Sequence, residues 1–428
     1  MKRTACTKLV VEVIIFMITM SSCTSLSSEK SPTPTNAVVT TAAAVTPSPN
    51  PTNTSVGNIH LTRSCVEIAL TMDFLKGGTI VYRYNGDQTG LLNMDNGREI
   101  HLGKTFPIMA VSPDFMHLAY TTESPSQLHI VNKDGDPLTT VPIPEDWQGV
   151  MQWIDEENIL IERFIYAPYQ AASAILYNLK TGEHREFLPG FPSFETFTVP
   201  PLWENFSYSR MIFDPNFSRV IYPKMDAEGY RDFTLINVAD QIPILQLQGF
   251  PDSGAPQWTK DGAFVIAGLH PDAVYQTQAT REPDNHLIDI PYVSGFDLFQ
   301  VGRDGDIRQL TYFTTQYNAA EEMISLSPNE KYVAFWLNLD YQLRNSRSRR
   351  ELAILDIGTG DVTNLCLSDT GTPFQPIWSS DGKYLIVNLA GGNNIKTNVV
   401  LIDLERNIGH TILWGGSIAK AWLSFNNP

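Results

Sequence analysis

The chain has no G-x-S-x-G elbow, no phosphate-cradling glycine loop and no dinucleotide fingerprint. The local signatures of α/β-hydrolases and of nucleotide-binding folds are therefore missing, and no cofactor is expected. Its eight histidines, at 60, 101, 117, 129, 184, 270, 286 and 410, fall at no metal-ligand spacing. Positive charge is scarce: 30 Lys and Arg stand against 46 Asp and Glu, for a net charge of −16. That balance argues against nucleic acid as a partner and against a basic membrane-surface patch. Cysteine is scarcer still, with four residues. The apolar run from Leu9 to Met20 is shorter than the ~20 residues a membrane-spanning helix needs.

What is present at the start is Met1-Lys2-Arg3, that short apolar run, and Met20-Ser21-Ser22-Cys23. A basic start, a greasy core and small residues before a cut site predict a secretory signal over residues 1–22. The small pair before Cys23 resembles the lipobox of bacterial lipoproteins, with Met20 where Leu is usual and Glu12 interrupting the core. The resemblance implies lipidation of Cys23, a membrane anchor through that lipid, and an extracytoplasmic location. Residues 23–56 are rich in Ser, Thr, Pro, Ala and Asn and hold no aromatic residue. Such a segment buries too little apolar surface to offset its ordering entropy, so a disordered spacer is expected. Loss of Lys2, Arg3, Lys8 and Glu12 with the signal would take the net charge from −16 to about −18. Of the four cysteines, Cys65 and Cys366 then remain in an oxidising compartment, either paired or as two buried free thiols.

Residues 57–428 carry a repeated phrase. It reads Trp378-Ser379-Ser380-Asp381-Gly382-Lys383-Tyr384-Leu385-Ile386-Val387 in one copy and Trp258-Thr259-Lys260-Asp261-Gly262-Ala263-Phe264-Val265-Ile266-Ala267 in another. Further copies start at Val111, Leu326, Phe213 and Trp153. Each is an apolar strand end, a polar turn and a β-rich strand, and each is followed by a second hairpin such as Ile354-Leu355-Asp356-Ile357-Gly358-Thr359-Gly360-Asp361. Two hairpins make four antiparallel strands, A to D, which is one propeller blade. The copies predict blades near 106–145, 146–190, 203–250, 254–313, 319–367 and 374–413. A partial copy from Lys76 supplies strands B to D of one more, and Ile418–Ser424 supplies its strand A. The expectation is an all-β, seven-bladed β-propeller closed by a C-terminal strand, with six or eight as the neighbouring counts.

These repeats resemble the WD40-like propeller repeats of the TolB family, also found in prolyl-oligopeptidase-type and tricorn-type peptidases. The resemblance spans residues 76–425 and rests on turn and core residues. It therefore implies a fold and leaves the activity open. Asp114, Asp261, Asp381, Gly262 and Gly382 read as turn residues, and Trp153, Trp258, Trp378 and Trp422 as packing between blades. TolB carries an α/β domain ahead of its propeller, where this chain offers the spacer.

Long connections are expected at 164–172, 189–206, 224–232, 269–294, 337–350 and 388–397, all between strands B and C or between strand D and the next strand A. Both loop classes emerge on one face of a propeller, and long loops on a rigid scaffold are where binding residues sit. The candidates are Tyr166, Tyr169, Trp203, Tyr230, Tyr275, Arg281, Tyr341, Arg344 and Arg347, since aromatic residues and Arg are the usual interface anchors. A protein or anionic ligand would suit them; loops packed over the channel, with arginines paired to nearby acids, would too. The competing reading is a lyase or glycoside hydrolase using a carboxylate pair drawn from Asp226, Glu228, Asp272, Asp284 and Asp340. No metal is expected: Asn132–Asp136 and Arg303–Asp306 hint at calcium loops, but hairpin turns account for them.

Overall fold

In the computed structural model the described residues are 60–69, 77–106, 108–163, 173–187, 212–225, 231–240, 242–247, 255–268, 276–281, 287–292, 295–317, 319–339, 349–369, 371, 373–391 and 395–423. The chain divides into two compact units, and all of these lie in the second, Ser55–Pro428.

The repeated phrase folds as its turn chemistry dictates. The hydroxyls of Ser112, Ser327 and Ser379 accept the backbone N–H of His117, Tyr332 and Tyr384, each at 2.9 Å. The acceptor two residues on, Asp114, Asn329 or Asp381, takes the N–H of Met116, Lys331 or Lys383 at 3.0, 3.1 and 3.0 Å. The turn thus satisfies its own backbone. In five of the six copies one turn residue is left-handed: φ is +61° at Phe115, +54° at Phe217, +85° at Gly262, +59° at Glu330 and +70° at Gly382. Glycine meets that demand freely, whereas the three side chains each cost about 1 kcal/mol.

Six four-stranded antiparallel sheets follow in chain order over 110–142, 147–187, 212–247, 257–309, 320–369 and 377–413, here blades 2 to 7. Blade 1 joins Ile418–Leu423, as strand A, to Thr79–Tyr84, Gln88–Asn93 and Glu99–Lys104. Its closing strand sets Trp422 opposite Ile80. Strands A of adjoining blades touch one another, so they line the inside of the ring. The result is the expected all-β, seven-bladed propeller closed by its C-terminal strand.

The core lies between blades. Val265 and Leu298 of blade 5 pack with Phe335 and Leu355 of blade 6, and Ile386 and Leu401 of blade 7 pack with Ile80 and Trp422 of blade 1. Of the tryptophan column, Trp258 donates to the Ile212 carbonyl of blade 4 at 3.1 Å and Trp378 to the Ser325 carbonyl of blade 6 at 3.0 Å. These two indoles satisfy their N–H across a blade boundary while their rings fill the interface; the buried Trp153 N–H has no hydrogen-bond partner.

Three features differ from expectation. The long connection in blade 5 contains a hairpin, Gln276–Arg281 with Leu287–Tyr292, set off from the blade itself. In blade 7 strands B (Tyr384–Gly391) and C (Ile395–Asp403) stay paired as far as Gly391 and Ile395, so the expected 388–397 loop shrinks to its tip. The third lies ahead of blade 1. Leu61–Arg63 adds in parallel outside strand D of blade 6 (Val362–Asp369), and Glu67–Ala69 does so outside strand D of blade 7 (Ile408–Leu413). Between the two, Cys65 is bonded to Cys366. The His60 carbonyl accepts from Val362 N at 2.9 Å, just past the C–D turn of blade 6. This strap therefore begins on the short-turn side of the ring.

Candidate functional site on the long-loop face

Of the sequence candidates, Tyr166, Tyr169, Trp203, Tyr230, Tyr275, Tyr341, Arg344 and Arg347 lie outside the described residues, as do Cys23 and Asp226, Glu228, Asp272, Asp284 and Asp340. Arg281 ends the first strand of the blade 5 hairpin, opposite Leu287. Two neighbouring arginines of the basic stretch are placed, and both are ion-paired. Arg349 meets Glu351 at 2.8 Å, while Arg350, nearly buried, donates to Glu322 and to the Gly371 carbonyl. These two hold the foot of the blade 6 B–C loop and are committed to the fold.

On the other side of blade 6, facing blade 5, two carboxyl groups are shut away from water. Asp297, at the start of strand C in blade 5, and Glu321, in strand A of blade 6 (Ala320–Leu326), are both 0 % exposed. The Thr311 hydroxyl lies 2.8 Å from Glu321 Oε1 and 3.3 Å from Asp297 Oδ1, and it accepts Leu298 N at 2.8 Å. A hydroxyl has one proton to donate, so it serves both carboxyl groups only if one of them brings its own. Asp297 already receives Thr314 Oγ1, Thr314 N at 3.3 Å and Gln309 Nε2 at 3.2 Å. Glu321 Oε2 has no hydrogen-bond partner. Burial raises the pKa of both groups, and the Asp297 charge adds to burial in pushing Glu321 well above the usual carboxylate range. Burial and the Asp297 charge both favour the protonated form of Glu321, the state in which Thr311 can accept from one carboxyl group and donate to the other. This pair is a buried joint between blades 5 and 6, both carboxyl groups fully covered.

An open surface lies at the seam of blades 7 and 1. Trp414 follows strand D of blade 7 and is 67 % exposed, held by Gly415 and Gly416 at φ +85° and +99°. Gly416 N bonds the Thr397 carbonyl at 3.0 Å, which fixes the loop. Leu413, beside the indole, packs in one cluster with Tyr82 and Tyr84 of blade 1. Tyr82 lies flat over Gly90, where an added Cβ would come within 2.6 Å of its ring, and its hydroxyl donates to Glu99 at 2.9 Å. Burial, and then that contact, raises the Tyr82 pKa. Tyr84 tilts against both Tyr82 and His101, at centroid distances of 5.6 and 5.4 Å, and its hydroxyl meets His101 Nδ1 at 2.7 Å. The seam thus carries the Tyr82–Tyr84–His101 group on blade 1 and an uncovered indole on the loop that follows blade 7.

The short-turn side holds a groove of about 1030 Å³ between blades 3 and 4, lined by Ile154, Asp155, Asn178, His184 and Phe217 among others. The Asp155 carboxylate there is already used by Glu157 N, Asn158 N and the Asn158 amide, which also keeps its pKa low against burial. Asn132 likewise spends its side-chain oxygen on Asp134 N and Asp136 N, as a hairpin turn does. Among the described residues no group of three or more His, Cys, Asp or Glu gathers as metal ligands would.

No family model matches the chain and no curated protein matches it. The solved structures it is similar to include TolB from Acinetobacter baumannii, at 15% identity and a TM-score of 0.40 over 80% of this chain and 81% of that one. An oligogalacturonate lyase in complex with manganese stands at 11% and 0.47 over 79% and 84%. A puromycin hydrolase stands at 12% and 0.49 over 82% of this chain and 56% of its own. Likeness at this level concerns the fold, and no activity is carried over from it.

Proposed function

We propose that the protein is a binding or scaffolding propeller, carried outside the cytoplasm on a lipid at Cys23, that takes a protein or anionic ligand on its long-loop face. The observation behind this reading is Trp414, uncovered on a loop that Gly416 N ties to the Thr397 carbonyl. An uncovered aromatic on a fixed loop is what an interface anchor needs. The propeller-enzyme alternative asks for a carboxylate pair open to substrate. The carboxylates that reading draws on, Asp226, Glu228, Asp272, Asp284 and Asp340, lie outside the described residues.

The test is affinity capture with the chain from Gly57 onward, comparing wild type with Trp414→Ala. Loss of an anchor tryptophan costs about 2 kcal/mol or more, roughly a thirtyfold weaker capture. Equal capture by the variant, with loss instead on changes near Gly182 or Gly360 in the short turns, rejects the face assignment. The anchor is tested separately by expressing the full chain in a bacterial host with labelled fatty acid. Cys23→Ser should carry no label and leave the membrane fraction; a labelled, membrane-bound variant rejects the anchor.

A further inference from the structure

The strap His60–Ala69 has little to hold it. Thr62, Arg63, Ser64, Cys65 and Glu67 are exposed, and Ile68 is 39 % exposed. Only Val66 is buried, with Leu61 half-covered against the blade 5–6 core. Ile68 rests in a notch made by Gly409, where an added Cβ would lie 2.6 Å from its end. The remaining ties are two three-residue parallel ladders, a few further backbone bonds such as Ser64 N to Asn364 O at 2.9 Å and Val66 N to Leu365 O at 3.0 Å, and side-chain bonds from Thr62 and from the Asn407 amide, which reaches Ser64 Oγ at 3.1 Å and the Cys65 carbonyl at 2.8 Å. A three-residue strand on a sheet edge frays readily when its side chains face water.

Against this, blade 6 is shaped to reach the strap. Its strand D shifts register between the Glu351 and Ala353 pairings, and Cys366 sits there at φ +59°, a left-handed conformation that costs a side-chain-bearing residue about 1–2 kcal/mol. Asn364 steadies the bulge by accepting Cys366 N at 2.7 Å. The bulge offers Cys366 to Cys65 across 301 residues of sequence, and the Cys65 end of the bond is exposed to solvent.

We propose that the strap is a redox-released strand. The Cys65–Cys366 bond is its principal tie, and reduction frees residues 60–69 and bares the outer edges of blades 6 and 7 while the ring stays closed. A dithiol reductant supplies the chemistry. Its thiolate attacks one sulfur of the bond, the other cysteine leaves as thiolate, and the second thiol of the reductant displaces the first cysteine. Two electrons and two protons pass to the cysteine pair, and the reductant departs as its own disulfide. Ring closure is independent of the strap, since blade 1 is shut by Ile418–Leu423.

Hydrogen exchange on the full chain, with and without dithiothreitol under native conditions, tests this. Exchange of strap amides such as Ser64 and Val66 should quicken about a hundredfold or more on reduction, because only short edge ladders then protect them. Strand B of blade 6, Tyr332–Asn338, should keep its protection. Cys366→Ser without reductant should reproduce the pattern, and iodoacetamide should label Cys65 in it. Strap amides that stay protected after reduction overturn the proposal. So does a reduced protein whose Tyr332–Asn338 amides open together with the strap, because the bond would then hold the ring rather than the strap.

Discussion

Deletion of Ser417–Pro428 should destroy the native ring. The lost strand serves two seams at once. Trp422 and Ala419 fill the blade 7–1 cluster, while Leu423, fully buried, belongs to the cluster shared with blade 2. The indole also stacks near Tyr384 at 6.3 Å and donates to the Gly77 carbonyl at 3.2 Å. Asn388 is left worst off. Its side chain donates to the Ala419 carbonyl at 3.1 Å and accepts Ala419 N at 2.7 Å, all of it buried. Truncation would strand both ends of that amide and open strand B of blade 1 as an unpaired edge. Removing one large buried side chain already costs about 3–5 kcal/mol, and the whole domain has only about 5–15 to lose. Expected are aggregation on expression, or a cooperative melting transition lowered by tens of degrees or absent. An unchanged melting curve would mean that another segment closes the ring.

The second large effect is on pH. Folded Glu321 holds a proton that the unfolded chain releases near its ordinary value of 4.5. Above that pH the native state binds more protons than the unfolded state, so stability falls as pH rises. The fall continues until the native carboxyl itself ionises beside Asp297, at about 1.4 kcal/mol per pH unit for one proton. This is the reverse of the familiar salt-bridged carboxylate. Glu321→Gln keeps the donor to Thr311 and carries no titrating group. It should flatten the decline that sets in above the ordinary Glu value of 4.5 and melt above wild type at the alkaline end, with little change in acid. Thermal melts of both proteins from acid to alkaline pH decide it, and parallel curves would place the shared proton elsewhere.

Much of the ring could be read from the chain because its turns have narrow chemical requirements. In most copies a Ser or Asp side chain accepts one amide, an Asp or Asn accepts another, and one residue turns left-handed, so Trp378–Val387 and its copies stand out. The strap could not be read in this way. Leu61–Arg63 and Glu67–Ala69 are too short to show a period, and parallel addition to an edge leaves their side chains mostly in water. Glu321 was hidden by its neighbours: Ala320-Glu321-Glu322-Met323 looks solvated, and only the fold turns one acid to Arg350 and the other to Asp297. Trp414 is not legible either, because Gly415-Gly416 gives it the look of a turn residue. Alternation of strand faces alone could have grouped Tyr82 with Tyr84. The residues singled out in the long connections were chosen for type and position, and a loop sequence carries no register that would say where each one points.

The bond between Cys65 and Cys366 also decides how the molecule answers a pull. Blade 1 is the ring's closing seam, where the paired strands come from opposite ends of the sequence. A tug on the chain ahead of His60 would, without the bond, unzip two short ladders and then draw directly on Thr79–Tyr84. With it, the force leaves the backbone at Cys65 and enters the middle of strand D in blade 6. That strand sits in a sheet made from one continuous stretch, Ala320–Asp369, with both neighbouring blades packed against it. Tension arriving from the N-terminus is thus diverted past the seam, which stays slack until a covalent bond gives way.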